Sequence, residues 1–150
     1  MIVIKPLTIL YVENVKDYTR MVDLSKIDCI MPIPRLNKDG KDDARHILDT
    51  IERYDSALIE YPEYLKTPLE QFELVKAIAE KIPDKTVILI TQSEFIGMTI
   101  LKLIDVKKLK PDDVAMYYYD GNDIHEYKIY SNGVTDEPLP WVLEFTQLVW

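Results

Sequence analysis

The sequence predicts an α/β fold: a three-layer domain with a mostly parallel central sheet and an antiparallel hairpin added towards the C-terminus. Three observations carry this. Runs at residues 7–12, 56–59 and 86–90 are apolar with little alternation, as strands covered on both faces must be. Between them, apolar residues recur every three or four positions, the period of a helix with one buried stripe. From residue 114 onward a strand, turn and strand follow, the second strand alternating as a half-exposed strand does.

The elements follow in order. Ile2-Val3-Ile4 and Leu7-Thr8-Ile9-Leu10-Tyr11-Val12 are β-rich runs parted at Pro6, which has no N–H to give a ladder. Residues 26–31 hold a further apolar run, closed by Pro32 and Pro34, and a polar loop spans 35–40. Ala44, Ile47, Leu48, Ile51 and Tyr54 then make one stripe of about three turns, with Asp39 or Asp42 as its cap. After the strand Ser56-Ala57-Leu58-Ile59, Thr67-Pro68 opens a second helix as N-cap and first helical residue, with Glu70 in the first turn. Its stripe is Leu69, Phe72, Val75, Ile78, Ala79 and Ile82. Residues 86–90 are a buried strand and 94–104 a third helix. Residues 114–119, a turn at Asp120-Gly121-Asn122-Asp123 and residues 124–130 form the hairpin, His125, Tyr127 and Ile129 alternating with Glu126, Lys128 and Tyr130. Ser131-Asn132-Gly133 turns the chain again, and residues 141–150 read as a short amphipathic helix. No repeat or low-complexity linker interrupts residues 1–150, which read as one domain.

Composition narrows the function classes. The chain has 150 residues, 47% of them hydrophobic, enough for a real core. A net charge of −8 disfavours nucleic acid as a partner; Lys102, Lys107, Lys108 and Lys110 suit a solvated helix end. The single cysteine, Cys29, excludes an intrachain disulfide and reads as a small buried residue. No apolar run approaches the ~20 residues of a membrane span, and the N-terminus turns polar too soon for a secretory signal. The expected location is the cytoplasm, with no membrane partner. His46, His125 and Cys29 lack metal-ligand spacing, so no metal site is expected. The serines show no Gly-x-Ser-x-Gly elbow.

One motif points to chemistry. In Leu58-Ile59-Glu60-Tyr61-Pro62-Glu63 an apolar strand delivers two carboxylates to the C-terminal edge of a sheet, where α/β proteins hold nucleotides and metal ions. The chain has no GxxxxGK[ST] loop to cradle phosphates beside them.

This string resembles the Walker B segment of ABC-type ATPases, in the branch that includes the OLD and structural-maintenance-of-chromosomes-like proteins. Ile90-Thr91-Gln92-Ser93-Glu94-Phe95-Ile96 resembles that family's switch segment. Lys110-Pro111-Asp112-Asp113-Val114-Ala115-Met116-Tyr117-Tyr118-Tyr119, then Glu126-Tyr127-Lys128-Ile129 and Asn132-Gly133, are similar to its C-terminal region. Ile4-Lys5-Pro6-Leu7-Thr8-Ile9-Leu10 resembles the strand before its phosphate loop. The resemblance implies a reduced P-loop NTPase-like core. It also implies Glu60 as a cofactor-side acid, Glu63 as the residue that polarises water, Gln92 in the place of the switch histidine, and pairing with a second copy or a partner ATPase.

Departures from the family pattern set the expectation. Where its glycine-rich loop stands, this chain has Val12-Glu13-Asn14-Val15-Lys16-Asp17-Tyr18-Thr19. Asn14 and Thr19 hold matching places, every glycine is replaced, and Tyr18 takes the lysine position. Glycines let consecutive N–H groups turn inward as an anion nest, which Val15 resists. Losing the lysine removes the cation that pairs with terminal phosphates. Leu36-Asn37-Lys38-Asp39-Gly40-Lys41 corresponds at most by position to the family's signature turn. The expected function is therefore a degenerate, truncated, non-catalytic ATPase-like domain, a pseudoenzyme acting through protein association and using no cofactor. Catalytic Glu63 and Gln92, and cofactor-binding Asn14, Thr19 and Glu60, would be vestiges. The alternative is an Mg-dependent nucleotide or phosphoester hydrolase that uses Glu60 and Glu63 with a different phosphate cradle and binds Mg and ATP weakly. In the bland reading, both glutamates are exposed strand-end acids with capping or salt-bridge roles, and Gln92 is a loop residue bonded to backbone.

Overall fold

A computed structural model describes residues 1–32 and 43–140. Six strands form one sheet: β1 (Leu7–Val12), β2 (Cys29–Met31), β3 (Ser56–Glu60), β4 (Thr86–Thr91), β5 (Val114–Tyr119) and β6 (Ile124–Glu126). Their spatial order is β2-β3-β4-β1-β5-β6, and every neighbouring pair is parallel except β5 and β6. Three helices, α1 (Asp43–Arg53), α2 (Pro68–Ala79) and α3 (Glu94–Asp105), connect β2 to β3, β3 to β4 and β4 to β5. The α/β class, the mostly parallel sheet and the antiparallel C-terminal extension all stand as the sequence indicates.

Strand order explains which face each connection covers. All three helical crossovers move along the sheet in one direction, whereas the connection from β1 to β2 runs the other way. Because parallel crossovers are right-handed, opposite directions place them on opposite faces. The packing agrees. Leu7, Ile9 and Tyr11 of β1, with Ile59 and Leu89, meet Ile47 and Ile51 of α1, Leu74 and Ile78 of α2, and Ile96 and Ile100 of α3. On the other face Leu10, Val12, Leu58, Ile88 and Ile90 meet a thin layer of Ile2, Tyr18, Met21 and Val22. Every residue of β1 is buried, so neither face could carry the polar half of an alternating strand.

Local signals account for the element ends. Thr67 caps α2: its side chain accepts from Glu70 N at 3.2 Å while Glu70 Oε1 accepts from Thr67 N at 3.0 Å, with Pro68 at the first helical position. Such a cap contributes about 1 kcal/mol.

Several expectations need correction. Residues 2–4 form no strand. They lie across the thin layer, where Ile2 N donates to Met21 O (2.9 Å) and the Tyr117 hydroxyl bonds Val3 N and O, because Pro6 breaks the ladder before β1. Leu69 is exposed rather than in the buried stripe of α2, and Ile82 lies beyond the helix end. The second hairpin strand stops at Glu126, although Tyr127 N still donates to Met116 O at 2.9 Å. A further turn then packs on α3, where a Cβ added at Gly133 would fall 2.1 Å from the Leu101 carbonyl oxygen. Cys29 is half-buried at the sheet edge. The caps Asp39 and Asp42, the segment 36–41 and the helix expected at 141–150 lie outside the described residues.

Candidate functional site

Ligand crevices in open α/β sheets form beyond the carboxyl ends of adjacent strands whose outgoing connections leave to opposite faces. Here that place lies between β1 and β4. The chain leaving β1 passes to the thin layer, and the chain leaving β4 enters α3 on the helical layer. Glu13 and Asn14 follow β1, Gln92 and Ser93 follow β4, and Tyr61 to Glu63 follow the next strand, β3.

Own side chains span this crevice. Gln92 Nε2 donates to Glu13 O at 2.7 Å, joining the two loops that a ligand would have to part. Both carboxylate oxygens of Glu63 accept hydrogen bonds, Oε1 from Thr91 Oγ1 and Oε2 from Gln92 N, each at 2.8 Å. Tyr61 N donates to Ile90 O at 2.7 Å, carrying the chain beyond β3 across the end of β4. Tyr61 itself has φ +47°, a left-handed conformation unusual for an aromatic residue, and it makes the sharp bend that turns Glu63 back to Thr91.

Glu60 points elsewhere. Its Oε1 accepts from the Tyr18 hydroxyl at 2.6 Å. Residues 15–20 after β1 form a 3-10 turn (Val15–Arg20). That turn buries Tyr18 to 6% exposure in the second core. Burial first, and then the bond to Glu60, push the Tyr18 phenol well above its usual value, so it remains a proton donor at neutral pH. Tyr18 thus satisfies Glu60 as a neutral donor.

A second set of bonds fastens the loops to the helices. Ser93 N donates to Thr91 Oγ1 at 2.9 Å, and Ser93 Oγ donates to Gln71 Oε1. Gln71 Nε2 donates to Lys66 O at 3.0 Å. Gln71 is buried on α2 among apolar residues, and Ser93 also accepts from buried Tyr11 through its carbonyl (3.2 Å).

Of the residues singled out in the sequence, the fold therefore joins Glu63 to Gln92 and ties Glu60 to Tyr18. Thr19 sits on the exposed side of the 3-10 turn, and Asn14 is exposed at its start, where its carbonyl accepts from Asp17 N at 3.1 Å. The bland reading of Gln92 holds, since its side chain bonds backbone. The bland reading of the glutamates differs in exposure alone: both are half-buried, while Glu63 accepts from the Gln92 amide as a capping acid does. Sequence reasoning missed Gln71, Thr91 and Ser93. A polar residue inside the apolar stripe of α2 was the available signal for Gln71.

The fit to a magnesium nucleotide is poor. Among the described residues no group of three or more His, Cys, Asp or Glu side chains is placed to hold a metal ion. A 3-10 turn follows β1, and the carboxylates of Glu60 and Glu63 are engaged by Tyr18, Thr91 and Gln92. Among those residues, too, no helix is long and apolar enough to cross a membrane. Comparison with protein-family models, curated proteins and solved structures returns no match.

Proposed function

We propose that this chain is a non-catalytic, ATPase-like domain of the cytoplasm that works by associating with protein, as a regulatory or structural subunit paired with itself or with a partner ATPase. The observation that carries the reading is the self-filled crevice: Tyr18 on Glu60, Thr91 and Gln92 on Glu63, and Gln92 bridging to Glu13. A hydrolase would need Glu63 free to polarise a water and Glu60 turned to a metal. Here both oxygens of Glu63 already accept from the chain, and Glu60 faces a tyrosine. Opening the site would break charge-assisted hydrogen bonds worth roughly 1.5–3 kcal/mol each.

Calorimetric titration with Mg·ATP tests this. Losing the lysine and the amide nest moves a micromolar site, near −8 kcal/mol, to millimolar or weaker, about −4 kcal/mol. A dissociation constant tighter than roughly 10 µM would replace this reading with the Mg-dependent hydrolase that uses Glu60 and Glu63.

A further inference from the structure

Among the described residues three that are not glycine have left-handed backbones: Tyr61, Leu65 and Lys107. Lys107 follows Val106, the C-cap of α3, where that conformation is a common way for a helix to end. Tyr61 and Leu65 end no helix. They stand in the connection from β3 to α2, and a residue with a Cβ keeps such a backbone only where its surroundings impose it. Burial does not impose it here. Leu65 is 63% exposed at φ +54°, Tyr64 is 43% exposed, and Pro62 alone among residues 61–66 is buried. Hydrogen bonds impose it instead. Lys66 N donates to Glu63 O at 3.0 Å, closing a turn with Leu65 at its third position, a place that glycine takes when φ is positive. The Glu63 carboxylate then fastens that turn to Thr91 and Gln92. Both ends of the connection are fixed: β3 pairs with β4 as far as Glu60, and Thr67 is held in the cap of α2.

We propose that this connection is a latch with Glu63 as its catch. When the carboxylate leaves Thr91 and Gln92, the chain turns out at Tyr61 and Leu65 while the sheet stays folded. The two left-handed residues favour release, and the two bonds to the carboxylate oppose it. Little apolar surface holds the latch shut, so it belongs to the weakly held parts of a fold that open before the whole molecule does. Release also removes the acceptor of the Gln92 amide, leaving the Gln92 side chain on Glu13 O as the bond that joins the loops after β1 and β4. The domain thus has a closed and an open state at the carboxyl edge of its sheet, and a molecule that reaches the crevice acts by selecting the open one. This goes beyond the association reading and stands on the loop geometry alone.

Native-state hydrogen exchange of the full 150-residue chain, followed amide by amide through low urea concentrations, tests the latch. The Lys66 and Gln92 amides bond to Glu63 through its carbonyl and its carboxylate. They are expected to exchange through one shared opening that urea hardly changes, because the latch exposes little surface. The amides of β1 and β4 should exchange through a urea-sensitive opening instead. Glu63→Ala should speed exchange of the first pair at least about tenfold, since two bonds to a charged group are lost. Leu65→Gly should slow it roughly threefold, since glycine holds the left-handed position without strain. The deciding signal is the amide that each variant does not touch: Lys66 for Glu63→Ala, and Gln92 for Leu65→Gly. Either amide responding alone overturns the proposal, as does a Lys66 or Gln92 amide that exchanges only with β1. If Glu63→Ala does not fold, Leu65→Gly and the urea dependence of the parent chain decide.

Discussion

Gly97 stands at the end of the first turn of α3, within a helix where glycine costs about 0.5–1 kcal/mol relative to alanine, and Tyr11 is the reason. A Cβ at position 97 would fall 2.0 Å from the Tyr11 hydroxyl, 3.1 Å from Met116 and 3.3 Å from Leu139. Tyr11 is fully buried and donates to Ser93 O, so it cannot swing aside. Gly97→Ala is expected to destabilise the protein by about 1–3 kcal/mol through overpacking. Tyr11→Phe is expected to cost about 1 kcal/mol for the lost bond. Together they should cost less than their sum, because the phenylalanine vacates the space that the methyl needs. Urea denaturation of the two single variants and the double variant measures this, and strict additivity would show that the two residues do not compete for that space.

Among the elements, the β5–β6 hairpin carries its own pH dependence. The Asp120 carboxylate accepts from Asn122 N and Asp123 N, each at 2.8 Å, and bonds the His125 ring at 2.9 Å, while His125 stacks on Tyr118. The Asp123 amide, then His125 and the Asn122 amide, hold Asp120 at about 2. The bond to Asp120, with the charges of Asp120, Asp123 and Glu137, raises His125 above its ordinary 6.5. The histidine contribution is therefore complete below about 6.5 and is lost as pH rises through the raised folded value. The aspartate contribution is complete above about 3.9 and is lost as pH falls towards 2. Firmest closure of the turn is expected between about pH 4 and 6.5. In an NMR titration His125 should show a midpoint above that of an exposed histidine, and Asp120→Asn should bring it down. An unshifted midpoint in the parent chain would mean that the pair does not form in solution.

Across the whole molecule the shared feature is phenols drawn into the interior, four buried and Tyr61 half-buried. Tyr11, Tyr18, Tyr61, Tyr117 and Tyr127 are all raised above their usual value, in each case first by burial. A raised folded value means stability that is complete below the unfolded pKa of about 10 and is lost as pH rises beyond it. Thermal unfolding should thus have a midpoint that falls steeply above about pH 10, with these phenols ionising together as the sheet opens. Gradual ionisation with no loss of secondary structure would contradict the burial described here. The five sit in both cores and in the crevice, so the alkaline transition reports on the molecule rather than on one layer.

Local order was legible because its causes are local. The apolar runs of β1, β3 and β4, the stripe of α1 from Ala44 to Ile51 (Tyr54 lies past the helix end and is exposed) and the Thr67–Glu70 cap each depend on residues within a few positions of one another. The absence of a GxxxxGK[ST] segment was equally readable, since a phosphate-cradling loop is a contiguous stretch of chain. Tertiary structure alone decided that β1 lies between β4 and β5, and that the chain after it crosses to the face opposite the helices. It also decided which groups fill the crevice: Tyr18 reaches Glu60 across 42 positions, Thr91 reaches Glu63 across 28, and Gln92 reaches Glu13 across 79. Those pairings follow from strand order, which no short-range propensity encodes, because side chains far apart in sequence meet only after the parallel strands have been set side by side.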